Sequence, residues 1–166
     1  MAVKVPSRGT KGLPFPKLPS VLARFFSRLQ ARMFRRQGGG RTQGGLAGLL
    51  LHTTGARSGE PRSALLGFLP DEPDGWLVIA SLAGAARNPS WLFNLASDPR
   101  ATVEFGDGRR VPVVARTLEG QELEAAWTRI AREAPEYVRY LSKTDRAIPV
   151  VRLEEASRAA EAASAG

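Results

Sequence analysis

The densest run of chemistry-bearing residues is His52-Thr53-Thr54-Gly55-Ala56-Arg57-Ser58-Gly59-Glu60-Pro61-Arg62. Gly55 and Gly59 let a tight turn aim backbone N–H groups at one point, which is how short loops hold anions. Arg57 and Arg62 add planar forks that match phosphate or carboxylate oxygens. The hydroxyls of Thr54 and Ser58 add neutral donors. The run is neither a nucleotide-triphosphate loop, whose spacing and Lys-Ser/Thr ending are missing, nor a dinucleotide glycine fingerprint. A plain turn between two strands is the competing reading.

A second stretch, Ser81-Leu82-Ala83-Gly84-Ala85-Ala86-Arg87-Asn88-Pro89-Ser90-Trp91, is a loop entering a helix, where free N–H groups meet an anion or a ring carbonyl. Trp91 and Phe93 suit a planar ligand or simply the core. Tyr137 and Tyr140 fall on one helical face, as pocket lining or as half-buried packing. His52 ends an apolar strand and reads as structural or as part of the site. Asp145 and Arg146 read as holding a turn before the last strand. No Ser/His/Asp set or carboxylate pair stands out, so an enzyme built this way takes its reactivity from a cofactor.

Composition narrows the chemistry further. With no Cys and one His, disulfides, thiolate chemistry and a multi-histidine metal site within one chain are excluded, and no metal is expected. Residues 1–62 carry 12 basic side chains against one acid, Glu60, while the remaining residues carry 12 basic and 15 acidic ones. Arg outnumbers Lys 20 to 4. The basic end suits a phosphorylated cofactor, nucleic acid or an anionic membrane surface. Nucleic acid is not expected, because aromatics are not interleaved with the charges and no recognition-helix motif is present.

The elements that must position these residues follow from periodicity. Residues 1–19 read as a flexible arm, 20–153 as one domain and 154–166 as an Ala-rich tail. Ser20 is a candidate N-cap for a basic amphipathic helix over 21–36, with Leu22, Phe25, Phe26, Leu29, Met33 and Phe34 at helical spacing. That helix reads as packed or as touching a membrane surface or a lipophilic substrate. Strands are expected over 46–53, 62–69, 76–81, 101–105, 110–117 and 148–153. Helices fall at 89–96, 119–134 and 136–142. Short turns and few long crossovers predict an α+β, mainly β, small barrel or roll and argue against a doubly wound parallel sheet. With no signal peptide and no bilayer-spanning stretch, the cytoplasm is the expected compartment, with peripheral contact at the inner face of the cell membrane as an addition.

Leu51 to Arg62 resembles the Thr-Thr-Gly-(Arg/Ala)-(Lys/Arg)-(Ser/Thr)-Gly-x-x-Arg motif of the deazaflavin-dependent nitroreductases. These are F420H2-dependent quinone reductases with a split β-barrel related to the FMN-binding and pyridoxamine-phosphate-oxidase-like barrels. Ala80-Ser81, Gly84, Asn88-Pro89-Ser90-Trp91, Asn94-Leu95, Asp98-Pro99 and Val103 match a second motif. Tyr137, Tyr140, Thr144-Asp145-Arg146 and Ile148-Pro149-Val150 match a third, and the likeness covers residues 20–153. It implies a split barrel that transfers a hydride from reduced coenzyme F420 to a quinone or another electron-poor acceptor. Arg57, Ser58 and Arg62 would hold the anionic tail, with His52, Thr54, Gly55 and Pro61 in the same binding stretch. Ser81, Gly84, Ala85, Ala86, Arg87 and Asn88 would lie along the coenzyme, with Trp91 and Asn94 in support. Tyr137, Tyr140 and Ser81 would be the catalytic residues.

The sequence departs from the family pattern at Gly67, a tyrosine in some members, at Leu82, where a basic residue is usual, and at Ala134 and Lys143, in place of an aromatic pair. Two alternatives remain open at this point: an FMN-dependent relative, and a lipid- or fatty-acid-binding split barrel without redox turnover. Either a monomer or a homodimer is compatible with the pattern.

Overall fold

The computed structural model describes residues 2–165. Its chain order is α1 (Ser20–Arg36), β1 (Gly48–Thr54), β2 (Pro61–Asp71), β3 (Gly75–Ile79), a 3-10 turn (Leu82–Gly84), α2 (Ser90–Ser97), β4 (Arg100–Glu104), β5 (Arg110–Thr117), α3 (Gly120–Glu133), α4 (Pro135–Lys143), β6 (Val150–Glu155) and α5 (Ala156–Ser164). The six strands close into one antiparallel barrel in the order β1-β2-β3-β6-β5-β4, with β4 pairing back onto β1. The barrel expected from the turn spacing is therefore the fold.

Strand alternation sets the layers. Leu49 and Leu51 of β1 point into the barrel with Val78, Val103, Val113, Val151 and Leu153, while Trp91, Leu92 and Leu95 of α2 join the same core. Leu50 points out and is covered by Ala31 and Phe34 of α1. The uninterrupted apolar run in β1 thus reflects two covered faces. A second apolar layer joins α3 and α4 to the outside of β3 and β6, through Ala126, Ile130, Tyr137 and Tyr140 against Leu77, Ile79 and Val150. Each such side chain fully buried contributes about 1.5–3 kcal/mol relative to exposure.

Three segments differ from expectation in instructive ways. The N-cap position of α1 is Pro19, with no side-chain cap, and Ser20 is already helical. The Ala-rich end is not featureless: α5 forms there, as the high helix propensity of alanine favours. The arm is docked along residues 2–13. Val3 is buried in the barrel core, and the backbone of Gly9 and Leu13 bonds to the loop after β3. Composition alone marks Pro- and Gly-rich chain as loose, but here distant residues supply its hydrogen-bond partners.

Helix α1 packs by its less apolar side. Ala31 and Phe34 are buried and Arg24 and Ser27 half-buried, whereas Leu22, Phe25, Phe26, Leu29 and Met33 are exposed. Ser27 donates to the Ser63 carbonyl at 2.5 Å. Among the described residues, no helix is long and apolar enough to cross a membrane.

Candidate functional site

The β1–β2 hairpin turn carries the first motif. Gly55 N–H donates to the Glu60 carbonyl and Gly59 N–H to the Gly55 carbonyl, both at 2.8 Å, closing the turn on itself. Gly59 has φ +67°, which favours glycine, and a β-carbon on Gly55 would lie 2.6 Å from Ser58 Oγ and displace that hydroxyl from its present position. Helix α2 props the turn from below. Buried Asn94 accepts from Ala56 N–H and donates to Thr53 Oγ1, both at 3.0 Å. Both polar atoms of Asn94 are thus used inside the protein, and Trp91 lies in the core. Asn94 therefore supports the β1–β2 turn, not the loop after β3 that the sequence resemblance implies for it.

Charge gathers on the outside of this turn. Arg62 donates to Ser58 Oγ at 3.0 Å and to Glu60 at 3.1 Å, and Arg24 of α1 reaches the same carboxylate at 3.2 Å. Arg57 and Ser58 are exposed, and among the described residues Arg57 has no carboxylate partner. Arg24 Nε is buried with no hydrogen-bond partner. Two guanidinium groups sharing one carboxylate, with the uncompensated Arg57 on the same turn, leave this region net positive. Thr54 and Pro61 flank it, exposed at the ends of β1 and β2.

The second motif forms a strained loop. Leu82, Ala83 and Gly84 all lie at positive φ (43°, 52° and 81°), a conformation that costs a non-glycine residue on the order of 1–3 kcal/mol and persists only where its surroundings impose it. Arg146 imposes it. Its guanidinium, with the residue 4% exposed, donates to the carbonyls of Ala80 (3.1 Å), Ser81 (2.9 Å) and Ala85 (3.1 Å) and to Asn88 Oδ1 (2.9 Å). No carboxylate pairs with it among the described residues, and burial lowers its pKa from the usual arginine value. Ser81, Gly84, Ala85 and Asn88 are buried, and Ala86 and Arg87 are half-buried. Arg87 lies over the Phe15 ring at 5.4 Å, and its Nε is buried with no partner. Sequence reasoning gives Arg146 only a turn role, because an arginine before a strand carries no local sign of four partners about 60 residues away.

Helix α4 sits on this loop. A β-carbon on Gly84 would meet the Tyr140 carbonyl and the Lys143 side chain at 3.0 Å. Tyr137 and Tyr140 contact edge to face at 5.5 Å, and both are buried. Burial raises both phenol pKa values, with Thr42 beside Tyr137 pulling the other way and Glu136 adding to the rise at Tyr140. A β-carbon on Gly67 would lie 2.7 Å from both the Tyr137 hydroxyl and Thr42 Oγ1. The glycine that departs from the family pattern therefore makes room for Tyr137.

His52 stands apart from both loops. Its Nδ1 lies 2.7 Å from Ser63 Oγ and its Nε2 2.7 Å from Glu104, on the outer face of β1 beneath α1. Glu104 is buried and also accepts from Arg35 at 2.6 and 2.9 Å and from Arg110 at 2.8 Å. The Arg35 hydrogen bond, offset by burial and aided by His52, holds its carboxyl at about 2. Both His52 nitrogens are occupied by this clamp. Two concavities of about 350 Å³ also lie elsewhere, one beside α5 and one beneath the Gly38–Gly40 loop.

A closed six-stranded antiparallel barrel with an arginine-bearing hairpin turn and a strained loop after β3 places the chain among the split barrels. The unpartnered Arg24 and Arg87 nitrogens and the cationic surplus at Arg57 and Arg62 fit a coenzyme with a long anionic tail. The family model described as F420H(2)-dependent quinone reductase matches residues 26–155, and the chain belongs to that family. It is 36% identical over 116 residues to the F420H(2)-dependent quinone reductase Rv1261c of Mycobacterium tuberculosis, covering 68% of this chain and 76% of that one. Among solved structures, an F420-H2 dependent reductase (FDR-A) is 38% identical with a TM-score of 0.58, covering 64% of this chain and 93% of that one. A structure described as a domain-swapped dimer is 34% identical with a TM-score of 0.59, covering 78% and 98%.

Proposed function

We propose that this chain binds coenzyme F420 and reduces a quinone with it. The observation that carries the reading is the cationic surplus of the turn that the family motif occupies: Arg62 and Arg24 share the single carboxylate of Glu60, and exposed Arg57 on the same turn has no carboxylate partner among the described residues. When bound, the reduced deazaflavin supplies a hydride from C5, which with one proton converts a quinone to its hydroquinone. Arg57, Arg62 and Ser58 bind the anionic tail, and Arg87 offers a further donor. The Ser81–Asn88 loop, rigidly held by Arg146, gives the ring a fixed edge, so that little reorganisation is needed at hydride transfer. Tyr137 and Tyr140, phenols that are protonated at neutral pH and whose pKa values burial raises further, would act as hydrogen-bond donors toward oxygen that gains negative charge.

Fluorescence titration with oxidised F420 and, in parallel, FMN tests this reading. Micromolar or tighter binding of F420 in preference to FMN is expected, with Arg57→Ala weakening it about tenfold for one lost charge-assisted contact. Preference for FMN would move the chain to flavin chemistry, and binding of neither would remove the reductase reading.

The exposed stripe of Leu22, Phe25, Phe26, Leu29 and Met33, flanked by Arg28, Arg32 and Arg36, supports peripheral seating of α1 on an anionic bilayer at the cytoplasmic face. Co-sedimentation with vesicles containing anionic lipid, lost on Phe25→Ser/Phe26→Ser, is the expected result. A dimer in solution that ignores vesicles would instead assign the stripe to a second copy of the chain.

A further inference from the structure

The docked arm lies against the same loop that the coenzyme reading uses. Gly9 N–H donates to the Ala86 carbonyl at 2.9 Å, Leu13 N–H donates to the Gly84 carbonyl at 3.0 Å, and Leu13 forms a parallel bridge to Ala85. Asn88 Nδ2 donates to the Pro6 carbonyl at 2.7 Å. The approach is close, because a β-carbon on Gly12 would lie 2.3 Å from Ala86 N. Asp145 fastens the arm from the other side. Its carboxylate accepts from Thr10 N–H (3.2 Å), Thr10 Oγ1 (2.5 Å) and Lys11 N–H (2.9 Å), while Thr144 Oγ1 donates to the Lys11 carbonyl at 2.8 Å. The next residue, Arg146, holds the inner side of that loop.

We propose that Asp145 and Arg146 form a two-sided latch, Asp145 on the arm and Arg146 on the Ser81–Asn88 loop, so that residues 2–13 are a structural wall of the coenzyme site. The inference rests on the coenzyme reading above. The arm takes the Gly84 and Ala86 carbonyls, groups that repel an anion, together with one amide N–H of Asn88, and leaves the other donors of the loop to the ligand. It also brings Phe15 under Arg87, whose unpartnered Nε belongs to the same loop. Asp145 and Gly12 are thereby positioning residues that act through the loop.

Two variants release the arm by unrelated means: Asp145→Ala removes its acceptor, and Gly12→Val blocks its approach. Both changes lie outside the buried core. Trypsin cleavage after Arg8 and Lys11, measured against cleavage after Lys17, is expected to speed up about tenfold or more in both, as a docked backbone becomes free. The dissociation constant and KM for F420 are expected to rise about fivefold, with kcat within about twofold, since the loop's order must then be supplied on binding. Asp145→Asn, which keeps one acceptor oxygen, should fall between wild type and Asp145→Ala. Faster cleavage with unchanged or tighter F420 binding overturns the wall, and unchanged cleavage in both variants overturns the latch. A wild-type chain that binds no F420 yet shows the cleavage difference overturns the coenzyme reading, and the wall with it, while leaving the arm's fastening in place.

Discussion

Two charged side chains, Glu104 and Arg146, are buried among the described residues, and they are solvated in opposite ways. Glu104, on the outer face of the barrel under α1, is surrounded by charge: Arg35 and Arg110 donate to it, with His52 at its other side. Arg146, behind the loop after β3, is surrounded by dipoles, donating to backbone carbonyls and to Asn88. An ion-paired group fastens two elements but leaves each free to keep its own regular backbone. A cation met only by carbonyls dictates backbone shape, because each carbonyl must turn toward it. The positive φ values of Leu82 and Ala83 occur at the second kind of site, while Glu104 joins a regular helix to regular strands.

Removing Arg146 is the most severe way to break that contrast. Arg146→Met fills comparable space but strands the carbonyls of Ala80, Ser81 and Ala85 and the Asn88 amide that it satisfied. Hydrogen bonds to a charged donor contribute about 1.5–3 kcal/mol each, and relief from burying the charge offsets part of their sum. A net loss of about 4 kcal/mol is expected in denaturant unfolding, or a fall of about 10 °C in melting temperature for a chain of this size. Arg146→Lys, which keeps the charge without the planar fork, should recover less than half of it. A loss under about 1 kcal/mol would mean that the left-handed turn holds itself without the guanidinium.

The same contrast explains what could be read from the chain. The β1–β2 turn was legible because its causes are local: Gly55, Gly59, Ser58, Glu60 and Arg62 bond to one another within a few positions. The barrel strands were legible for the same reason, since alternation and turn residues act at short range. The docked arm, the Arg146 hub and the Glu104 clamp were not, as Thr10 meets Asp145 and Arg35 meets Glu104 across more than half and nearly half of the chain. The apolar stripe of α1 was visible, yet periodicity could not say which side would pack. Packing chose Ala31 and Phe34, with the small Ser27 giving close approach to β2, over the bulkier Phe25 and Phe26.

Glu104 offers the gentler test, through pH. Its carboxyl is held at about 2 against an ordinary value of 4.5, so the folded state binds its proton more weakly than the unfolded chain does. The stability this adds is therefore complete above about pH 5 and is lost as pH falls through 4.5 toward 2. The shift corresponds to about 3 kcal/mol, as an order of magnitude. Glu104→Gln keeps the shape and removes the titration. Subtracting its stability curve from that of the wild type isolates this group from exposed carboxylates with lowered values, such as Asp98 and Glu133. The difference should be about 3 kcal/mol at pH 7 and should shrink toward zero by pH 2, while trypsin access to the arm at neutral pH stays unchanged. A difference curve flat from pH 7 to pH 3 would show that the arginines around Glu104 bring no net stabilisation. A rise in arm cleavage would show that the helix clamp and the loop hub are one cooperative unit and not two.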